Sequence, residues 1–310
     1  MKIASIDIGS NTVLLLIAEV DIENQKLVPL LNRYRMPRIS KGLNVSNIIS
    51  EPAVASLHIV LKKYKDIIDE YNCTKVLVNA TQALRVAKNS EQIIDSIKRD
   101  LEFYVNVISG DQEAYLSFLG AQSGGFNTGN SALVIDIGGA STEIIHGHGN
   151  NISFKKSFPI GVVTLTEKYL LFEISDKTLS DAENYIINVL NELSNLNVND
   201  SSVIAVAGTP TTLACAMQNL TEYSDVKVEG YKLSNDDLFD FIEIFKSLSS
   251  KDILENFGKI MEGREDIILA GTLILNNILK LLKKDFLYAS GRGLRYGAII
   301  EFMNSIKDKV

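Results

Sequence analysis

The sequence predicts an α/β protein of two related half-molecules facing each other across one phosphate-binding cleft. Three observations carry that expectation. Ile6-Asp7-Ile8-Gly9, followed by Ser10-Asn11-Thr12, returns as Ile135-Asp136-Ile137-Gly138, followed by Gly139-Ala140-Ser141-Thr142. Each copy closes an apolar run (KIASIDIG, SALVIDIG) and opens another (VLLLIAEV, EIIHG). Elsewhere, short apolar runs alternate with stretches of helical spacing, the pattern of an α/β domain. An acid at the end of a buried strand, next to glycine and hydroxyl residues, can hold a hydrated cation while nearby backbone N–H groups approach an anion. One copy would read as a hairpin turn. Two copies 129 positions apart (7 and 136) suggest a duplicated domain.

The elements follow in order. Residues 1–20 read as two strands joined by the turn at Gly9–Thr12, and Leu27 to Tyr34 as a third strand of that meander. Pro52 to Tyr71 has helical spacing at Val54, Leu57, Leu61, Tyr64 and Ile68, with Ser50 as N-cap. Lys75 to Asn79 is a short buried strand, Ser90 to Tyr104 a helix, and Tyr104 to Ile108 a strand. The Gly-, Ser- and Asn-rich stretch Gly120 to Ser131 marks a domain boundary. Beyond it, strands are expected at 131–147 and 152–158, a helix near 179–194, a strand at 202–207, then mostly helix. The expected domains are 1–125 and 126–296, with the C-terminal helix at 297–310 packing back on the first.

Composition narrows the function. A chain of 310 residues with 46% hydrophobic and 22% charged residues is globular and long enough for two cores. A net charge of −7 argues against a duplex nucleic-acid binder but leaves room for a locally positive pocket. Cys73 and Cys215 are too few for a disulfide scaffold. No run approaches a membrane span, and no apolar stretch of signal-peptide length precedes Asp7, so a cytoplasmic protein is expected.

Several segments could carry chemistry. The strand Val203 to Ala207 ends in Gly208-Thr209-Pro210-Thr211-Thr212, where a helix N-terminus would favour an anion. The alternative is a helix simply capped by Thr209 or Thr211. Ser109 and Gln112 fit a capping box, which makes Glu113 a first-turn acid; the competing reading makes it a general base. Glu143 lies seven residues beyond Asp136, and strand alternation alone does not fix its face. Arg85 suits bidentate phosphate binding, although a lone arginine is commonly a solvated surface residue. Other chemistries drop out. No G-x-x-x-x-G-K-[ST] or G-x-S-x-G segment occurs, and Gly291 to Gly297 (GRGLRYG) lacks the strand–turn–helix setting of a dinucleotide site. His146-Gly147-His148 reads as an exposed turn, and His58 as a helix residue without special role.

With these segments in hand, the chain resembles the Ppx/GppA phosphatase family, within the larger group of sugar kinases, Hsp70 ATPases and actin. The resemblance rests on DIGSNT (7–12), ATQALRVAKN (80–89), SGDQEAYLSFLG (109–120), DIGGASTE (136–143), SFPIGVVTLTE (157–167), AGTPTTLA (207–214), REDIILAG (264–271) and GRGLRYG (291–297), in that order. It implies two ribonuclease-H-like (actin-like ATPase) domains flanking a phosphate-binding cleft. It also implies a short form without the C-terminal helical domain of longer members. Carried over by position, Glu113 is the catalytic base and Glu143 a second essential carboxylate that places water or metal. Asp7 and Asp136 face Mg²⁺ (or Mn²⁺) bound with phosphate. Ser10, Asn11, Thr12, Arg85, Gly138, Gly139, Ala140, Ser141, Thr142, Gly208 and Thr209 bind phosphates. This chain has Gln112-Glu113 where the family usually shows two consecutive acids, Ala140 where a third glycine is common, and Lys41 where an acid or neutral residue is common.

The function so implied is exopolyphosphatase activity, with in-line attack of water on the terminal phosphate of inorganic polyphosphate and Mg²⁺ as cofactor. Alternatives are a guanosine pentaphosphate phosphohydrolase and a non-catalytic guanosine-phosphate sensor. A sugar-kinase-type transferase shares the scaffold but not the phosphatase segments. Expected partners are polyphosphate or guanosine phosphates, with no duplex nucleic acid and no membrane; a homodimer is left open.

Overall fold

The computed structural model describes residues 1–124, 131–149, 151–172 and 174–307. The chain divides into two compact units, Met1–Gly120 with Gly293–Val310, and Ala121–Arg292. Residues 125–130 of the glycine-rich stretch expected as a boundary lie outside the described residues.

The first unit opens on a meander of β1 (Lys2–Ile8), β2 (Val13–Asp21) and β3 (Lys26–Arg35). Then come α1 (Glu51–Glu70), β4 (Lys75–Ala80), α2 (Gln82–Val86), α3 (Ser90–Leu101), β5 (Val105–Val107) and α4 (Gly110–Gln122). The sheet order is β3-β2-β1-β4-β5, antiparallel through the meander and parallel from β1 to β5. Because β1 is central and covered on both faces, five consecutive positions, Ile3 to Asp7, leave only Asp7 half-buried. On one face lies α1, whose Leu57, Leu61, Tyr64 and Ile68 join the β1 and β2 core while Tyr64 donates its hydroxyl to the Val13 carbonyl at 2.9 Å. A second cluster packs Ile3, Leu16, Ala18 and Val20 against Tyr296, Ile299 and Met303 of the C-terminal helix Leu294–Lys307. The predicted helix from Ser90 stops at Leu101 because Glu102 adopts a left-handed φ of 59°.

The second unit repeats this scheme. It contains β6 (Ser131–Ile137), β7 (Thr142–His148), β8 (Asn151–Phe158), α5 (Asp176–Leu190), β9 (Ser201–Val206) and α6 (Gly208–Met217). These lead to β10 (Tyr231–Ser234), α7 (Asn235–Lys246), α8 (Ile268–Leu282) and β11 (Phe286–Ser290). Its sheet order is β10-β11-β9-β6-β7-β8. Read from β8 to β11, the pairing senses match those from β3 to β5, and β10 is an added antiparallel edge. Even the irregularities repeat: the ladder shifts register between Ile17 and Ala18 in one meander and between His146 and Gly147, 129 positions on, in the other.

Two expectations need correction here. The region after 207 is mostly helix, as expected, but it also holds two strands the sequence did not announce: β10 was hidden by its four-residue length and β11 by the Lys283-Lys284-Asp285 run before it. The helix near 179–194 starts earlier, where the Ser175 hydroxyl accepts the Thr178 N–H, and gives way to a tighter turn at Asn191–Asn195. Nearly every residue of α8 is buried, as suits a helix apolar all round. Among the described residues, no helix is long and apolar enough to cross a membrane.

Candidate active site

Asp7 and Asp136 occupy the same place in their units, next to last in β1 and β6, and the burial along the two strands is identical residue by residue. The turns that follow are built alike. Gly9 donates its N–H to the Thr12 carbonyl at 3.0 Å, and Gly138 to the Ser141 carbonyl at 2.8 Å. A later segment ties back the turn carbonyls in each case. The N–H groups of Ser40 and Arg38 reach Ser10 O and Asn11 O at 3.0 and 3.1 Å. In the second unit, the N–H groups of Val162 and Val163 reach Gly138 O and Gly139 O at 3.0 and 2.8 Å. Among the described residues, no protein acceptor meets the main-chain N–H groups of Ser10, Asn11 and Thr12, or of Gly139, Ala140 and Ser141. Consecutive N–H groups with their carbonyls held behind them form an anion-binding concavity.

Within the second turn the residues divide by role. Thr142 is fully buried and donates its hydroxyl to Ile160 O at 2.6 Å, so it braces the turn from behind. Gly161 is the other brace. A Cβ there would stand 2.5 Å from Gly138 O and 2.6 Å from Ala140 N, so only glycine lets the supporting segment lie this close.

Glu143 is fully buried and pairs in register with Asp136 across β6 and β7. Residues directly opposite in an antiparallel pair project from the same face, so the two carboxylates share one face at the turn end of the hairpin. The Ser157 hydroxyl of β8 donates to Glu143 Oε1 at 2.6 Å and fixes its rotamer. This resolves the face that alternation alone left open.

In the first unit, Arg85 and Glu113 form an ion pair, with Nη1 and Oε2 at 3.2 Å. The same nitrogen donates to Ile108 O at 2.6 Å, while Nε and Nη2 donate to Gln82 Oε1 at 3.2 and 2.6 Å. The guanidinium is therefore engaged with protein acceptors and orients the Glu113 carboxylate, which is largely buried at the start of α4. Half of the expected capping box forms: Gln112 N–H donates to Ser109 Oγ at 3.1 Å. Among the described residues the reciprocal half is not made, and the Gln112 side chain lies beside Glu301 instead.

In the turn before α6, Ala207 holds φ 74° and ψ −160°, a region nearly reserved for glycine. Capping by a threonine side chain does not occur there: Thr211 instead donates its hydroxyl back to Ala207 O at 2.8 Å. The first turn of α6 carries no acid, and the guanidinium of Arg264 lies against Gly208, donating to Gly208 O at 2.9 Å and to the Thr212 hydroxyl. A Cβ on Gly208 would sit 3.2 Å from the Arg264 Cζ. Thr209 is buried, its side chain packed against Gly271 of α8.

Sequence reasoning gave no role to Ser157, Gly161 or Arg264, although each lies in a segment that signalled the resemblance. Gly161 could have been flagged as a glycine right after a strand and a proline; Ser157 and Arg264 act through tertiary contacts with no local signal. His146 is not in an exposed turn. It lies in β7, its ring between the hydroxyls of Ser201 at 2.8 Å and Ser153 at 2.9 Å.

Asp136 and Glu143 offer hard oxygen donors that suit Mg²⁺, which is commonly held by one or two carboxylates together with phosphate oxygens and water. Among the described residues, no three His, Cys, Asp or Glu side chains gather into a metal centre of their own. The donor set thus fits an ion that arrives with phosphate. Burial pushes the thiols of Cys215 and Cys73 up, so neither is an activated nucleophile.

Comparison with known proteins places this arrangement. The model of the Ppx/GppA phosphatase family matches residues 17–306. A bifunctional 3-dehydroquinate synthase/phosphatase of Fusobacterium nucleatum is 33% identical over 310 residues, covering 96% of this chain and 46% of the relative. A guanosine-5'-triphosphate,3'-diphosphate pyrophosphatase of Photobacterium profundum is 28% identical, covering 98% of this chain and 60% of the relative. The chain thus spans about half the length of these two proteins. The crystal structure of an exopolyphosphatase from Cytophaga hutchinsonii superposes with a TM-score of 0.89 at 28% identity, covering 98% of each chain.

Proposed function

The chain belongs to the Ppx/GppA phosphatase family, and from that premise we propose that it hydrolyses the terminal phosphoanhydride bond of inorganic polyphosphate. The observation that carries the reading is the doubled hairpin: two Asp-Xaa-Gly turns of matching hydrogen-bond geometry, each with its carbonyls tied back and its N–H groups presented. A repeating polyanion suits such a repeated cradle, because each cradle can take a phosphoryl group by the same backbone geometry.

In this mechanism Glu113, aimed by Arg85, accepts a proton from the attacking water. Glu143, held by Ser157, would orient water or share a cation with Asp136. In each unit the turn N–H groups, those of residues 10–12 in the first and those of 139–141 with Gly208 and Thr209 in the second, offer donors that stabilise charge on phosphate oxygens. Mg²⁺ (or Mn²⁺) bound with phosphate oxygens and held by Asp136 and Glu143 of the second unit would supply charge neutralisation, and Asp7 occupies the equivalent place in the first unit. The two cysteines remain thiols, so direct attack by water is favoured over a covalent intermediate.

A second reading is supported by the Photobacterium relative, named as acting on guanosine pentaphosphate. The deciding experiment measures phosphate release by the purified protein with and without Mg²⁺, on long polyphosphate, short polyphosphate and guanosine pentaphosphate. The first reading expects the highest kcat/KM on polyphosphate. Preference for the nucleotide selects the second, and no release from any substrate, with guanosine-phosphate binding retained, selects a sensor.

A further inference from the structure

The C-terminal helix grips the first unit at two places that matter to its chemistry. Arg295 Nη1 donates to Asn32 Oδ1 at 2.9 Å and to Leu15 O of β2 at 3.2 Å, which ties the helix to the strand that leaves the first hairpin. On its other side the helix meets α4. Gly297 lies so close to the Leu116 carbonyl that a Cβ would overlap it, and Leu294 and Ala298 pack with Leu116 and Ile108. One turn beyond Gly297, Glu301 is half-buried with the side chain of Gln112 beside it. Gln112 immediately precedes Glu113, whose carboxylate is held by Arg85.

We propose that Glu301 is a positioning residue for Glu113, holding the first turn of α4 through Gln112. The proposal rests on the reading of Glu113 as the base. The close approach at Gly297 fixes the distance between the two helices, and the Gln112–Glu301 contact fixes the rotation of the α4 first turn about its axis. With that turn fixed, Arg85 and the Ile108 carbonyl hold the carboxylate at one angle. An acid at 112 would set two carboxylates against each other at the Glu301 contact. A glutamine there provides the donor that Glu301 needs.

The test is steady-state kinetics on polyphosphate with thermal unfolding of each variant. Glu301→Ala should lower kcat about three- to tenfold at nearly unchanged KM, as expected for lost orientation without lost binding. Glu301→Gln, whose amide oxygen still accepts, should stay within about twofold of the parent. Gln112→Glu should fall like Glu301→Ala, and the exchange Gln112→Glu with Glu301→Gln should recover, since donor and acceptor have traded places. A merely structural contact would change the unfolding midpoint without this reciprocal recovery in kcat. Parent-level kcat in folded Glu301→Ala, or no recovery in the exchange, overturns the proposal. Glu113→Gln serves as the control: if it keeps full turnover, the base assignment itself fails, whereas its inactivity alongside an unaffected Glu301→Ala rejects the positioning role alone.

Discussion

Glu143 stands directly across the β6–β7 ladder from Asp136, whereas the equivalent rung of the first hairpin sets Leu14 across from Asp7. The duplicated hairpins are alike in backbone and unlike in chemistry: only the second carries a carboxylate pair on one face. A buried carboxylate held by a hydroxyl at 2.6 Å depends on that donor for its orientation. Ser157→Ala should therefore lower kcat by roughly ten- to a hundredfold, the equivalent of one charge-assisted hydrogen bond, with the fold intact. Ser157→Thr, which keeps a hydroxyl, should retain more activity. Equal kcat for Ser157→Ala and the parent would show that Glu143 needs no such support.

Glu113→Gln tests the base directly. It keeps shape and hydrogen bonding but removes the proton acceptor, so turnover should fall by roughly 10²–10⁴-fold with modest change in KM. Arg85→Lys should also lower kcat, because an ammonium cannot meet Gln82, Ile108 and Glu113 at once as the guanidinium does. Near-parental turnover in Glu113→Gln would return that residue to a helix-end acid.

Much of the fold was legible because it is written in periods. The apolar runs of β1 and β6, the spacing of Leu57, Leu61, Tyr64 and Ile68, and the repeated Asp-Xaa-Gly turn are local signals, and each element formed where they placed it. The four-residue strand β10 is too short to carry a period, and α8 has apolar residues all round, so neither announced its partner. The site was legible as a set of turns but not as a set of braces. Gly161, Ser157 and Arg264 support residues from 20 or more positions away or from another strand, and spacing carries no record of such contacts. The Arg85–Glu113 pair lay beyond spacing for the same reason: two segments, each with an ordinary local explanation, become one unit only on folding.

His146 should give the protein a pH signature. Burial, with Lys284 nearby, holds its imidazole below the ordinary value of 6.5. A histidine depressed in the folded state binds its proton more readily when unfolded. Its contribution to stability is therefore present above pH 6.5 and lost as pH falls through its folded value. His146→Gln should flatten the fall in unfolding midpoint between neutral and mildly acidic pH. Parallel curves for parent and variant across that range would show that the ring does not titrate differently on folding.

Ala207 holds the turn between β9 and α6 at φ 74° and ψ −160°. A side chain in this region costs of order 1–3 kcal/mol, because the Cβ crowds the neighbouring backbone. Glycine adopts it freely but loses more chain entropy on folding, about 0.5–1 kcal/mol. The strain term is the larger, so Ala207→Gly should stabilise the protein by roughly 1 kcal/mol, read as a raised denaturation midpoint at unchanged m-value. Ala207→Val should do the reverse, since β-branching worsens the same clash. If the turn also sets the direction of the Gly208 and Thr209 N–H groups, the looser glycine variant should show a raised KM despite its greater stability. Stability unchanged or lowered in Ala207→Gly would mean that the surrounding structure, through Thr211 and Arg264, already absorbs the strain.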